Sequence, residues 1–210
     1  MSIEVTRAFL RAGAAVVAGA LSLALIPGCR LGTFLGGGEF VVRSAGPQPA
    51  QMTVDAQTSL FAFRDPDSLT IIVSDIPFAD LRSGQITSGQ VICLTLLWNP
   101  KAGSTPIDSN ATNCTVRQVV FTPDGVGLYG GAGFLYPSGD TTENRITGTM
   151  DDSTMRLMES SPGFADLLGT ARVTGGVAIE RDDSGVRDII IQVNSEVSRR
   201  LGRVYFALGD

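Results

Sequence analysis

From Glu39 onward the chain is cut into short β-branched and aromatic runs, each stopped by turn-forming residues, and this pattern limits the fold more than any other feature. Phe40–Val42, Met52–Val54, Leu60–Phe63 and Leu69–Val73 are such runs, separated by Gly46-Pro47, Pro49, Asp65-Pro66-Asp67 and Asp75-Ile76-Pro77. Branched and aromatic side chains suit a pleated, half-buried surface, whereas Gly, Pro and Asp supply the backbone angles and acceptors of turns. Val91–Trp98 and Val116–Phe121 continue the series on either side of a polar loop. Near the C-terminus, Val173–Ile179, Val186–Val193 and Leu201–Leu208 read as an antiparallel meander that turns at Asp182–Gly185 and Ser198–Arg200. In its last run Val204, Phe206 and Leu208 alternate with Arg203, Tyr205 and Ala207, the period of a half-buried strand. Helix is expected only at Thr154–Glu159, capped by Ser153, and at Gly163–Leu168. The expected fold is all-β: an antiparallel β-sandwich, or alternatively a small antiparallel β-barrel, with one or two short helices.

The first 28 residues obey different rules. Arg7 and Arg11 precede an apolar run from Ala12 to Ile26, which breaks at Pro27-Gly28 and meets Cys29. Charge, apolar core and small residue in that order make a secretory signal, and the apolar part is too short for a comfortable membrane span. Its ending, Leu25-Ile26-Pro27-Gly28-Cys29, resembles the lipobox of bacterial lipoproteins. The resemblance implies cleavage after Gly28, diacylglycerol on the thiol of Cys29 and acylation of the new amino group. It also implies a place in the cell envelope, and the outer membrane in a two-membrane organism, because Arg30 is not the retention aspartate of inner-membrane lipoproteins. Residues 29–38 then form a tether ending in Gly36-Gly37-Gly38, and 39–210 a single domain. A flexible tether of this length reaches roughly 15–20 Å root-mean-square, so the domain is expected to sit against the membrane.

Composition narrows the chemistry. Hydrophobic residues make up 43% and charged ones 18%, a globular balance rather than a disordered one. Asp and Glu number 21 against 16 Lys and Arg, so the chain lacks the basic footprint of a nucleic-acid partner. Histidine is absent, which excludes Ser-His-Asp and Cys-His catalysis within the chain and His-ligated zinc, copper or haem. With Cys29 lipidated, Cys93 and Cys114 remain as a pair in an oxidising compartment. A disulfide between them would staple the base of the Asn99–Asn113 loop and contribute about 3 kcal/mol by loop entropy.

No stretch of the domain carries a catalytic motif, so catalytic residues, metal and cofactor are all expected to be none. The glycine-aromatic stretch Gly125–Tyr136 offers Tyr129, Phe134 and Tyr136 as a weak candidate groove for a glycan or apolar ligand. Glycines in a strand also mark bulges and tight bends, in which case those aromatics are core. The acidic groups Asp65/Asp67, Asp75/Asp80, Asp151/Asp152 and Asp182/Asp183 lack the ligand spacing of a calcium loop and fit turn chemistry. Arg199, Arg200 and Arg203 form a basic knot that could rest on anionic headgroups or simply be a solvated hairpin end. Asn110-Ala111-Thr112 and Asn113-Cys114-Thr115 match the glycosylation sequon, which a bacterial envelope protein need not read. The sequence thus points to a lipid-anchored, non-enzymatic accessory or interaction domain, partnered by the membrane and an envelope protein. A small-ligand-binding domain is the second reading, and a carboxylate-dependent hydrolase a remote third.

Overall fold

A computed structural model describes residues 37–47, 49–65, 68–97, 112–138 and 144–206. The leader, Cys29, most of the tether, Asp67, and Asn110 and Ala111 of the first sequon fall outside the described residues. The elements are β1 (Gly38–Ser44), β2 (Gln51–Asp55), β3 (Thr58–Asp65), β4 (Ser68–Ser74), α1 (Phe78–Ser83), β5 (Gly89–Leu96) and β6 (Cys114–Phe121). There follow β7 (Val126–Gly133), β8 (Leu135–Ser138), β9 (Arg145–Ser160), β10 (Thr170–Arg181) and α2 (Asp183–Leu201). The first four strands cover the four runs expected there.

The fold is all-β with two helices, and its strands form one ten-stranded sheet in the order β2-β1-β10-β3-β4-β5-β6-β7-β9-β8. An additional β10–β9 pairing closes it. The inner faces of β3–β7 and of the remaining strands share one core, as in a sandwich. Hydrogen bonds nevertheless join the two halves at both margins, so the barrel alternative describes the connectivity. One margin is β7–β9, from Gly127↔Ser160 to Ala132↔Thr154. The other is a short parallel contact, Glu180↔Leu60 and Arg181↔Phe61, which departs from the purely antiparallel expectation. It is short because the β1–β2 hairpin occupies the rest of that side of β10.

Strand alternation produces two hydrophobic layers. Inside lie Leu69, Ile71 and Val73, with Ile92, Leu94, Cys114 and Val116, against Phe40, Val42, Met150, Val173 and Ile179. On the outer face of β3–β7, Ile72, Val91, Cys93, Val119, Phe121 and Leu128 pack under α2. That helix is the main correction to the sequence reading, which made Val186–Val193 a strand. Its branched residues favour strands, but Val186, Ile189, Ile190, Val193 and Val197 recur at helical spacing and are all buried. Asp182 caps the helix by accepting from Gly185 N at 2.8 Å, and Gly202 closes it in the left-handed conformation. The described part of the meander's last run is likewise not a strand: Leu201 ends α2, and past Gly202 the chain returns irregularly to Phe206.

The two expected short helices are also absent. Residues 154–159 belong to β9, where Met155 and Leu157 pack against the inner core and pairing with β7 and β10 outweighs the helical propensity of Met, Leu and Glu. Residues 163–168 form an irregular segment that lays Phe164 over Gly127.

The expected Cys93–Cys114 disulfide is corrected by the register of β5 and β6. Cys93 pairs with Arg117, and Cys114 pairs with Leu96, so the thiols are offset by three positions. They also lie on opposite faces, Cys114 in the inner core and Cys93 under α2, and both are free. A disulfide requires Cβ atoms about 3.5–4.5 Å apart, which opposite faces of one sheet cannot provide. Burial pushes the Cys93 thiol up to about 12 despite nearby Arg117. Cys114 rises to about 12 for the same reason. Neither thiol is therefore expected to alkylate in the native protein, and both are expected to react after denaturation without reductant. Peptide mapping of the adducts checks this, and an unreactive pair after denaturation would restore the disulfide.

Candidate functional site

The glycine-aromatic stretch folds into β7 and its exit, and it does not gather its aromatic residues into one groove. Tyr129 is fully buried in the inner core. Its hydroxyl donates to Asp166 Oδ1 at 2.7 Å. Burial raises the Tyr129 hydroxyl well above its ordinary range, and the neighbouring carboxylate raises it further. Burial alone would also raise Asp166, but donation from Tyr129 and from the amides of Gly169 and Leu168 wins, leaving it below the usual carboxylate range. This is a loop anchor. Phe134 and Tyr136 instead stack on each other, ring centres 4.7 Å apart, and neither belongs to the cluster that holds Tyr129.

The glycines explain themselves at the β7–β9 margin. A Cβ on Gly131 would lie 2.6 Å from Met155 Cα, and one on Gly133 would lie 2.8 Å from Ser153 Cα. The barrel turns so sharply here that β9 backbone passes directly over the inner side of β7, a corner only glycine permits.

On the outer side the same glycines leave a notch. Arg117 of β6 is the direct partner of Gly130, and Gly130 is the direct partner of Arg156 on β9. Directly paired residues share a face, so two arginines flank a residue without a side chain. The C-terminal return closes the third side, giving an open cleft of about 500 Å³ whose lining includes Thr115, Arg203, Val204, Tyr205 and Met158. Asn194 holds that return: it donates to Phe206 O at 2.8 Å and accepts from Tyr205 N at 3.0 Å and Phe206 N at 2.9 Å. The Tyr205 hydroxyl donates to Tyr129 O. Burial lifts that phenol to about 12, against the opposing influence of Arg117 and Arg203.

The charges of the cleft are unequal. Arg117 donates to Tyr205 O at 2.6 Å and lies 5.5 Å from the centre of the Tyr205 ring, neither of which neutralises it. Arg203 pairs with Glu159. The Arg156 side chain is exposed and takes part in none of the ion pairs or side-chain hydrogen bonds among the described residues. Sequence reasoning reached Arg203 but missed Arg117 and Arg156, which lie far apart in the chain and meet only through strand register.

The other members of the basic knot are engaged elsewhere. Arg199 and Arg200 both bind Glu196, and Arg200 also donates to the carbonyls of Thr122 and Gly125 at 3.0 Å, fastening α2 to the β6–β7 turn. Acidic residues serve turns and ion pairs: Asp65 accepts from Ser68 N at 2.8 Å, Asp75 from Gln90 N at 2.6 Å, and Asp152 pairs with Arg172. Among the described residues no group of three His, Cys, Asp or Glu side chains is placed to hold a metal ion. Comparison with protein-family models, with curated proteins and with solved structures finds no match to this chain.

Proposed function

We propose that this chain is a lipid-anchored protein of the bacterial cell envelope whose β domain works as a non-enzymatic interaction module. The cleft over Gly130 carries the reading for the domain. Its ionic lining is arginine, with a single paired glutamate beside it, and guanidinium stays protonated in proteins. Such groups hold and orient an anion but exchange no proton with it. The barrel interior is filled mainly by aliphatic and aromatic side chains, with Gln118 and Ser153 buried among them, so the surface is the better place for a partner than the core. The Arg7–Cys29 leader supports the anchor and, through Arg30, an outer-membrane address in a two-membrane organism.

Native mass spectrometry of the protein purified from its own envelope tests both halves at once. The expected spectrum shows a chain starting at Cys29 with covalent diacylglycerol and acyl mass, together with a non-covalently retained species. Cys29→Ser is expected to give uncleaved or mis-sorted precursor that takes no palmitate analogue during metabolic labelling. An unlabelled wild-type chain would end the lipoprotein reading.

A further inference from the structure

Two arginines on one face of a sheet with only glycine between them are a poor arrangement unless something negative joins them. Each lies one strand from Gly130, so their Cα atoms are about 10 Å apart, close enough for both guanidiniums to reach one bound group. Neither has a carboxylate partner, and the nearby Glu159 is taken by Arg203. The cleft is thus locally positive on a chain whose formal net charge is −5. It is also apolar at its rim. Met158 and Val204 line it and are 54% and 66% exposed, although large hydrophobic side chains of this fold are mostly buried.

We propose that the notch over Gly130 binds the phosphate of an anionic phospholipid headgroup, with Met158 and Val204 receiving the adjoining apolar part of the lipid. Phosphate presents oxygens in several directions, which suits two guanidiniums approaching from opposite sides, whereas a carboxylate offers both oxygens along one edge. Arg156 is the free arm and Arg117 the fixed one, held in place by the Tyr205 carbonyl. A lipid headgroup is the source favoured over free phosphate because only the lipid uses the apolar rim. The choice also rests on the proposed anchor at Cys29, whose short tether keeps the domain at a headgroup surface.

The full chain in a non-ionic detergent is titrated with dihexanoyl-phosphatidylglycerol, dihexanoyl-phosphatidylcholine and glycerol phosphate, followed through the amide resonances of Gly130 and Gly131. Phosphatidylglycerol is expected to bind about tenfold more tightly than either comparison compound, because the choline cation of phosphatidylcholine is repelled by the arginines and glycerol phosphate leaves Met158 and Val204 uncovered. Arg156→Gln is expected to abolish the preference over phosphatidylcholine without moving the melting temperature, since the side chain makes no structural bond. Arg156→Lys is expected to keep part of it. Unchanged binding in Arg156→Gln, or equal binding of the zwitterionic lipid, would overturn the site. Glycerol phosphate binding as tightly as the anionic lipid would overturn the lipid assignment and leave a simple phosphate site. The titration does not depend on the anchor, so failure here with a labelled Cys29 removes the headgroup site alone.

Discussion

Gly131→Ala is expected to lower the melting temperature by about 6–12 °C, while Gly130→Ala, one residue away, shifts it by no more than about 2 °C. The two positions face opposite sides of β7. A methyl group on Gly131 would enter the backbone of β9, reaching the carbonyl oxygen of Thr154 and standing 2.6 Å from Met155 Cα. Backbone at the barrel margin cannot step aside without breaking the β7–β9 pairing. Forced overpacking of this kind costs about 3 kcal/mol, and a domain of this size loses about 2–4 °C for each kcal/mol. The nearest atoms to a methyl group on Gly130 are Met158 Cγ at 3.1 Å, the Tyr205 hydroxyl oxygen at 3.2 Å and Met158 Sδ at 3.7 Å, all on side chains. Alanine there also loses less conformational entropy on folding than glycine, which offsets the crowding. Thermal denaturation of the two variants side by side reads the difference. Equal losses would mean that the corner is not set by these glycines.

The same corner shows what a single sequence can and cannot disclose. Glycines 131 and 133 are legible as a bend or bulge, one of the roles that glycine takes in a strand interior. Which strand crosses there is not legible, since β9 arrives from more than twenty residues away. The early strands are readable because turn residues punctuate each run. The long β9 is not: Thr154–Glu159 has helix-forming composition, and only pairing on both sides overrides it. α2 fails in the opposite sense. Val186, Ile189, Ile190 and Val193 carry strand-forming side chains at helical intervals, and the interval governs because it places them on one face against the sheet. The Asp182 cap was present as a signal but reads equally as the turn of a hairpin.

Register explains the remaining misses. Parity and compartment argue for joining Cys93 to Cys114, but side-chain direction alternates along each strand, and the offset between these partners puts them on opposite faces. The candidate cleft follows the same logic in reverse. Arg117, Gly130 and Arg156 share no local motif, yet direct pairing across three strands sets them in a row. Local arithmetic on a β protein therefore recovers its elements better than its sites, because sites are assembled from the pairing that local patterns leave open.

Asn194→Ala is expected to destabilise the chain by about 2–4 kcal/mol and to release its C-terminal return. Asn194 is buried on α2, and its one side chain satisfies three backbone groups: the amides of Tyr205 and Phe206 and the carbonyl of Phe206. Alanine leaves two courses open. If the return stays docked, buried amide and carbonyl groups lose their partners at about 1–3 kcal/mol each. If it lifts away, Phe206, only 3% exposed, leaves the outer core and forfeits about 1.5–3 kcal/mol of burial. Detachment is the cheaper course, and it dismantles the cleft as well. Arg117 then loses its carbonyl acceptor, Tyr205 leaves the Tyr129 carbonyl, and Arg203 and Val204 no longer form the third wall. Asn194→Asp separates the contributions, because a carboxylate still accepts from both amides but cannot donate to Phe206 O, so an intermediate loss is expected. Limited proteolysis of the C-terminal return, read beside the melting curves, distinguishes detachment from global loosening. A return that stays protected in Asn194→Ala, with unchanged stability, would show that α2 holds the tail through Phe206 packing alone and that the cleft wall does not depend on this asparagine.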